Sequence, residues 1–192
     1  GGAQGIFGLD VTDPENFSKS NVMFEFTDRH DSDMGNVLGQ PRLVRMKLAG
    51  SSTTRWFVAV TSGYNNYQAD GRASTTGQQV LFLLSVDKPV GSGWVLNNNY
   101  YKVKLPAPAT KTSAALANPG VAYDTEGNAV IFYAGDTQGN LWKFDFQGGI
   151  NSSAATNAVK TSGGTMSPMA LLRAATSHPQ PVPTVPAVGP RV

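Results

Sequence analysis

The chain has 192 residues, room for one domain or for part of a larger one, and its 40% hydrophobic and 15% charged content with Gly 21 and Pro 12 describes a turn-rich globular sequence, not a collagen-like or disordered one. Fifteen Lys and Arg against thirteen Asp and Glu leave a formal charge of +2, which excludes the strongly basic field expected of a nucleic-acid-binding domain. With Cys 0 there is no disulfide frame, thiolate nucleophile or cysteine-held zinc or iron–sulfur site, so a metal would need oxygen ligands or His30 and His178.

The opening GGAQGIFG has neither an initiator Met nor a charged leader before an apolar stretch, and predicts a soluble segment of a longer precursor. Residues 5–14, GIFGLDVTDP, then set a pattern of turn, short apolar run, aspartate and turn. It returns in QQVLFLLSVDKP at 78–89 and in GNLWKFDFQGG at 139–149, about 60–75 residues apart, a period that suits propeller blades with loop insertions. The longest apolar run, Val80 to Leu84, is far short of the roughly 20 residues a membrane helix needs.

Between these repeats, three segments alternate with period two, as strands with one face in the core and one in water do. Val22, Phe24 and Phe26 oppose Met23, Glu25 and Thr27; Val44, Met46 and Leu48 oppose Arg45 and Lys47; Tyr101, Val103 and Leu105 oppose Lys102 and Lys104. Residues 56–60 and 129–133 are continuously apolar and predict strands covered on both faces. Turn chemistry separates them: Ser62-Gly63 with Asn65-Asn66, Asp70-Gly71, Gly91-Ser92-Gly93, Glu126-Gly127-Asn128 and Gln138-Gly139-Asn140. The stretch AVIFYAGDTQGNLWKFDF reads as a β-hairpin closed by a glycine-permitted turn.

Toward the end, residues 148–164, rich in Asn, Ser, Thr, Ala and Gly, predict a mobile loop. Ser167-Pro168 before an apolar run serves equally as a short helix start or as the approach to an edge strand. Residues 176–192 are Pro-rich and predict an extended segment. The fold class is therefore all-β: one part of a β-propeller domain over residues 1–192, with about three four-stranded antiparallel blades and a Pro-rich tail.

The succession GGAQGIFGLDVTDPENF, FEFTDRHDSDMGNVLGQP, RWFVAVTSGYNN, YAGDTQGNLWKFDF and PQPVPTVPAVG resembles the C-terminal propeller of the PilC/PilY family of type IV pilus tip-associated proteins of Gram-negative bacteria. The resemblance runs from about Gly2 to Gly189. It implies a non-enzymatic, exported protein at the cell surface, pilus tip or outer membrane that promotes pilus assembly, counteracts retraction and supports adhesion and twitching motility. Its implied partners are pilus or minor pilin proteins and a host-surface or glycan ligand, with no nucleic acid and no membrane-spanning segment. Three repeat units cannot close the family's ring, so the chain is expected to form an arc with open strand edges.

The resemblance also implies a calcium loop before the strand that ends in Tyr133-Ala134-Gly135-Asp136. The loop falls on residues 122–130, with Asp124, Glu126 and Asn128 at ligand positions and Gly127 at the turn. Ala122 and Val130 stand where the family has acidic residues, and calcium takes six to eight oxygens, so the residues favour a polar β-turn over a calcium site. Asp28, Asp31 and Asp33 before Gly35 form a second acidic run, also read first as turn chemistry.

Two further function classes compete. GNLWKFD is similar to the repeat of quinoprotein dehydrogenases, in which calcium polarises a bound quinone, but no paired acid and base lies in a recognisable frame, and His30 and His178 read as solvent-facing. A passive ligand-binding propeller would use Tyr64, Tyr67, Tyr100 and Tyr101 as stacking surfaces and Asn65-Asn66 with Asn97-Asn98-Asn99 as hydrogen-bonding groups, residues that equally serve blade packing and turns. Arg72 follows Asp70-Gly71, which is not the Arg-Gly-Asp order that integrins read.

Overall fold

Alternation and apolar runs become three antiparallel sheets in the computed structural model, which describes residues 3–37, 39–68, 72–108, 115–159, 164–173, 180–182 and 185–188. Strands β1 (Gly5–Leu9) and β2 (Val22–Thr27) form a two-stranded sheet. Strands β3 (Arg42–Lys47), β4 (Thr54–Thr61), β5 (Val80–Ser85) and β6 (Tyr100–Lys104) form a four-stranded meander in chain order. A second meander holds β7 (Gly120–Tyr123), β8 (Ala129–Gly135), β9 (Asn140–Asp145) and β10 (Ala170–Leu171). Two of the expected four-stranded units are thus complete, while the third repeat, GIFGLD, lies in a two-stranded sheet among the described residues.

Strand β5 shows why its sequence is apolar without interruption: all six residues are buried because both faces are covered. Leu81 and Leu83 enter a core shared by the two four-stranded sheets, with Val44, Met46, Phe57, Phe132, Trp142 and Phe144. Val80, Phe82 and Leu84 enter a second core with Phe26, Met34, Val37 and Tyr100, on the side of the two-stranded sheet. Strand β4 divides likewise, Phe57 and Ala59 to the first core and Val60 to the second.

Trp56, expected to be covered on both faces, is 47% exposed. It shares a face of β4 with Val58 and Val60, and the crevice lined there by Phe7, Leu9, Leu43 and Val58 is left unfilled by the short two-stranded sheet. The covering needed to bury an indole at that end is absent among the described residues.

The predicted hairpin is β8–β9, paired from Ile131 with Asp145 to Gly135 with Leu141. Of the two readings of the segment after Ser167-Pro168, the structure holds the edge strand, β10. Residues 148–164 depart from the loop reading. Asn151 accepts a hydrogen bond from the Ala154 amide at 2.7 Å and caps a helix, α1 (Ser152–Asn157), that places Ala155, Ala158 and Val159 in the first core. A composition of Asn, Ser, Thr and Ala suits a capped helical turn as well as a loop, and the alanines settle the matter by packing. Residues 160–163 of that segment lie outside the described residues, as do Asp70-Gly71, His178 and much of the Pro-rich tail.

The described part of the tail folds back on the second meander: Gln180 N–H donates to Leu172 O at 3.1 Å and Val182 N–H to Asp136 O at 2.9 Å. Gly135 admits this approach, since a Cβ there would collide with Val182. The two meanders are joined by a backbone seam in which Ile150 N–H donates to Lys47 O at 2.8 Å and Ala49 N–H to Ile150 O at 3.0 Å. No helix among the described residues is long and apolar enough to cross a membrane.

Candidate functional site

Asp124, Glu126 and Asn128 sit together in the turn between β7 and β8. Asp124 Oδ1 accepts the Glu126 and Asn128 amides at 2.9 and 2.8 Å, and Asp124 Oδ2 accepts Asn128 Nδ2 at 2.9 Å. These hydrogen bonds, first those from Asn128, hold the Asp124 carboxyl below its usual 3.8. Gly127 takes φ 79°, open to glycine at little cost.

The turn has a twin. Residues 124–128 read DTEGN and residues 136–140, between β8 and β9, read DTQGN. Asp136 Oδ1 accepts the Gln138 and Asn140 amides at 2.8 and 2.9 Å, Asp136 Oδ2 accepts Asn140 Nδ2 at 2.7 Å, and Gly139 takes φ 78°. Two pentapeptides that differ only at the third residue therefore close two successive hairpins by the same means, the aspartate serving as acceptor for its own turn.

Around residues 124–128, two side chains arrive from β3. Arg45 Nε donates to Asn128 Oδ1 at 3.0 Å and Arg45 Nη2 donates to Glu126 O. Lys47 Nζ lies 3.0 Å from Glu126 Oε2 and 3.8 Å from Asp124 Oδ2, and the hydrogen bond to Glu126 raises the Lys47 ammonium above its usual 10.5. As arranged, the group does not fit a calcium ion. The donation from Arg45 fixes the Asn128 amide so that it presents NH₂, not oxygen, to the carboxylates, and two cationic side chains occupy the neighbourhood. Among the described residues, no group of three or more His, Asp or Glu side chains could hold a metal ion.

The second acidic run is drawn into a buried ionic cluster. Lys102 Nζ lies 2.7 Å from Asp31 Oδ2 and 3.0 Å from Asp33 Oδ2, and Lys104 Nζ lies 3.1 Å from Asp33 Oδ2. Tyr100 OH donates to Asp31 at 3.0 Å, Ser74 Oγ to Asp33 at 2.6 Å, and the Asp33 amide to Asp31 Oδ1 at 3.0 Å. Burial pushes the Asp33 carboxyl up, but the hydrogen bonds from Ser74 and Lys102 and the lysine charges outweigh it, leaving it below 3.8. Burial likewise pulls Lys102 down, while Asp31 and Asp33 carry it above 10.5; burial and the Asp31 charge push the Tyr100 phenol up. Asp28 stands apart and accepts the Arg72 amide at 2.8 Å.

Other candidates disperse. His30 is exposed; its Nδ1 accepts the Thr27 amide at 3.1 Å and lies 3.3 Å from the Thr27 hydroxyl, and its ring stacks on Phe26, a turn-closing role. Tyr100 and Tyr101, weighed as stacking surfaces, are buried in the two cores, leaving Tyr64 exposed and Tyr67 partly so. Asn65 and Asn97 have positive φ and Asn99 caps Val95, all turn roles. An apolar cavity of about 500 Å³ lies beside Thr61, Tyr64, Leu116, Asn118, Val182 and Val185 and is lined by no carboxylate, amine or imidazole among the described residues.

The residues that sequence reasoning missed are the cations. Lys102, Lys104, Arg45 and Lys47 read as the watered faces of their strands, whereas each pair meets an acidic pair two residues apart. That shared spacing, acids at 31 and 33 and at 124 and 126 against bases at 45 and 47 and at 102 and 104, was the available signal.

Comparison with known proteins supplies the context. Over 153 residues the chain is 32% identical to a type IV pilus biogenesis factor PilY1 homolog of Xylella fastidiosa, covering 77% of this chain and 9% of the relative. It is 29% identical to the type IV pilus biogenesis factor PilY1 of Pseudomonas aeruginosa strain UCBPP-PA14, covering 81% and 12%. The chain thus spans about a tenth of the length of these relatives. The crystal structure of the Pseudomonas aeruginosa PilY1 C-terminal domain superposes with TM-score 0.66 and 24% identity, over 96% of this chain and 35% of that one, and so shares the fold. The model of the PilY1 beta-propeller domain matches residues 1–185, and the chain belongs to that family.

Proposed function

We propose that this chain is the propeller segment of a type IV pilus biogenesis factor, acting by holding surfaces in place and not by catalysis. The observation that carries this reading is the family match over residues 1–185, in relatives named as pilus biogenesis factors. The disposition of polar groups supports it: the acidic clusters are engaged in turns and ion pairs, and the cavity beside Thr61 and Leu116 is lined by no carboxylate, amine or imidazole among the described residues. Rigid meanders with two-sided cores then present loops to pilus or minor pilin proteins at the surface of an exporting cell, where the parent protein would promote assembly, restrain retraction and support attachment to a host or glycan surface.

The test is genetic. In the source bacterium, deleting the codons for residues 1–185 in frame is expected to reduce surface pili, measured by shearing and immunoblotting, and to shrink twitching zones, with restoration by the intact gene. Unchanged piliation and motility in a strain that still exports the truncated protein would overturn the reading. Binding of the purified segment to minor pilins, against a glycan array, separates an assembly role from adhesion.

A further inference from the structure

At the end of strand β3 the two meanders, which also share the first core, meet through two different kinds of bond. Lys47 contributes its carbonyl to the seam with Ile150 and its ammonium to Glu126, so strand β3 reaches the second meander with backbone and side chain from the same residue. Arg45, two residues earlier, adds hydrogen bonds to Asn128 Oδ1 and Glu126 O. Asn128 is only 1% exposed, so this guanidinium satisfies a buried carbonyl oxygen.

The twin turns show what is special here. At residues 136–140 the aspartate's outer oxygen takes an indole N–H from its own sheet, Trp142 Nε1 at 2.8 Å. At residues 124–128 the same backbone geometry faces Lys47 and Arg45, which come from the neighbouring sheet. The turn is one device, and the adjacent element decides what completes it.

We propose that residues 124–128 form the socket of an intramolecular cation clasp, in which Arg45 and Lys47 take the place a divalent ion would hold and lock the two meanders together without calcium. Glu126 and Asp124 supply the negative side, Asn128 orients the guanidinium, and the seam at Ile150 holds the clasp in register. The junction is then constitutive: its geometry does not depend on the calcium level outside the cell.

The test uses the full chain, with thermal melting and calorimetric titration in calcium chloride, magnesium chloride and EDTA. Millimolar calcium is expected to shift the melting temperature no more than magnesium does, with no saturable heat. Arg45→Ala, which strips Asn128 Oδ1 of its donor, is expected to lower the melting temperature by roughly 4 °C or more. Lys47→Gln and Glu126→Gln are expected to be coupled, the double variant losing less than the two single losses combined. Saturable calcium binding that Asp124→Asn abolishes would overturn the proposal, and so would full additivity of Lys47→Gln and Glu126→Gln. Should Arg45→Ala fail to fold, the milder Lys47 and Glu126 cycle still decides.

Discussion

Trp142 and Asp136, six residues apart, are bound indole to carboxylate at 2.8 Å, so the side chain that fills the core also completes the turn opening its own strand. Trp142→Ala is expected to cost roughly 3–5 kcal/mol, as for other buried large aromatics. Trp142→Phe keeps most of the apolar contact but leaves the carboxylate one donor short, at about 1–2 kcal/mol. Urea denaturation of both variants checks this, and an alanine variant with an unaltered midpoint would place Trp142 outside the core.

Gly127 and Gly139 share a left-handed backbone but not their surroundings. A Cβ on Gly127 meets only Arg45 Nη2, at 3.8 Å, whereas one on Gly139 runs into Leu172 O and Gln180 O. Gly127→Ala should therefore cost about 1–2 kcal/mol, from φ alone. Gly139→Ala should cost more and release the tail, seen as faster proteolysis after residue 173. Equal losses at the two positions would contradict this account.

Acid should weaken the contact between the loop that follows β2 and strand β6. The folded Asp33 carboxyl holds its proton less tightly than the unfolded one, so its contribution is present above pH 3.8 and is lost as pH falls through the lowered folded value. Lys102 behaves oppositely: its stabilisation is present below pH 10.5 and is lost as pH rises through the raised folded value. Lys102→Met leaves Asp31 and Asp33 short of a counter-charge and is expected to cost about 3 kcal/mol at neutral pH. Urea midpoints of wild type and variant from the acid to the alkaline range test these statements; a methionine variant as stable as wild type at neutral pH would refute the last.

Asn151→Ala removes the cap of α1 and is expected to cost about 1 kcal/mol. Because Ala155, Ala158 and Val159 depend on that helix for their place in the core, hydrogen exchange of residues 154–158 should quicken more than that of β8. Uniform exchange would return the segment to a loop.

Much of this architecture can be read in the residues because its signals are local. The alternation of Val44, Met46 and Leu48, the unbroken run of β5 and the glycine of the β8–β9 turn each encode an element without reference to the rest of the chain. Trp56 shows the limit of that reading: its apolar neighbours predict burial, but what covers a strand is decided by another sheet. The ionic contacts are non-local in the same way. Lys102 pairs with Asp31 across 71 residues, and Arg45 reaches Asn128 across 83, distances at which composition and period carry no partner information. The helix at residues 152–157 was missed because its few alanines acquire meaning only against β6 and the first core.

The Ile150 seam asks little of the side chains along it. Because its donors and acceptors are peptide groups, any residue but proline at positions 49 and 150 could keep both hydrogen bonds, so the seam tolerates exchange of the side chains that carry it.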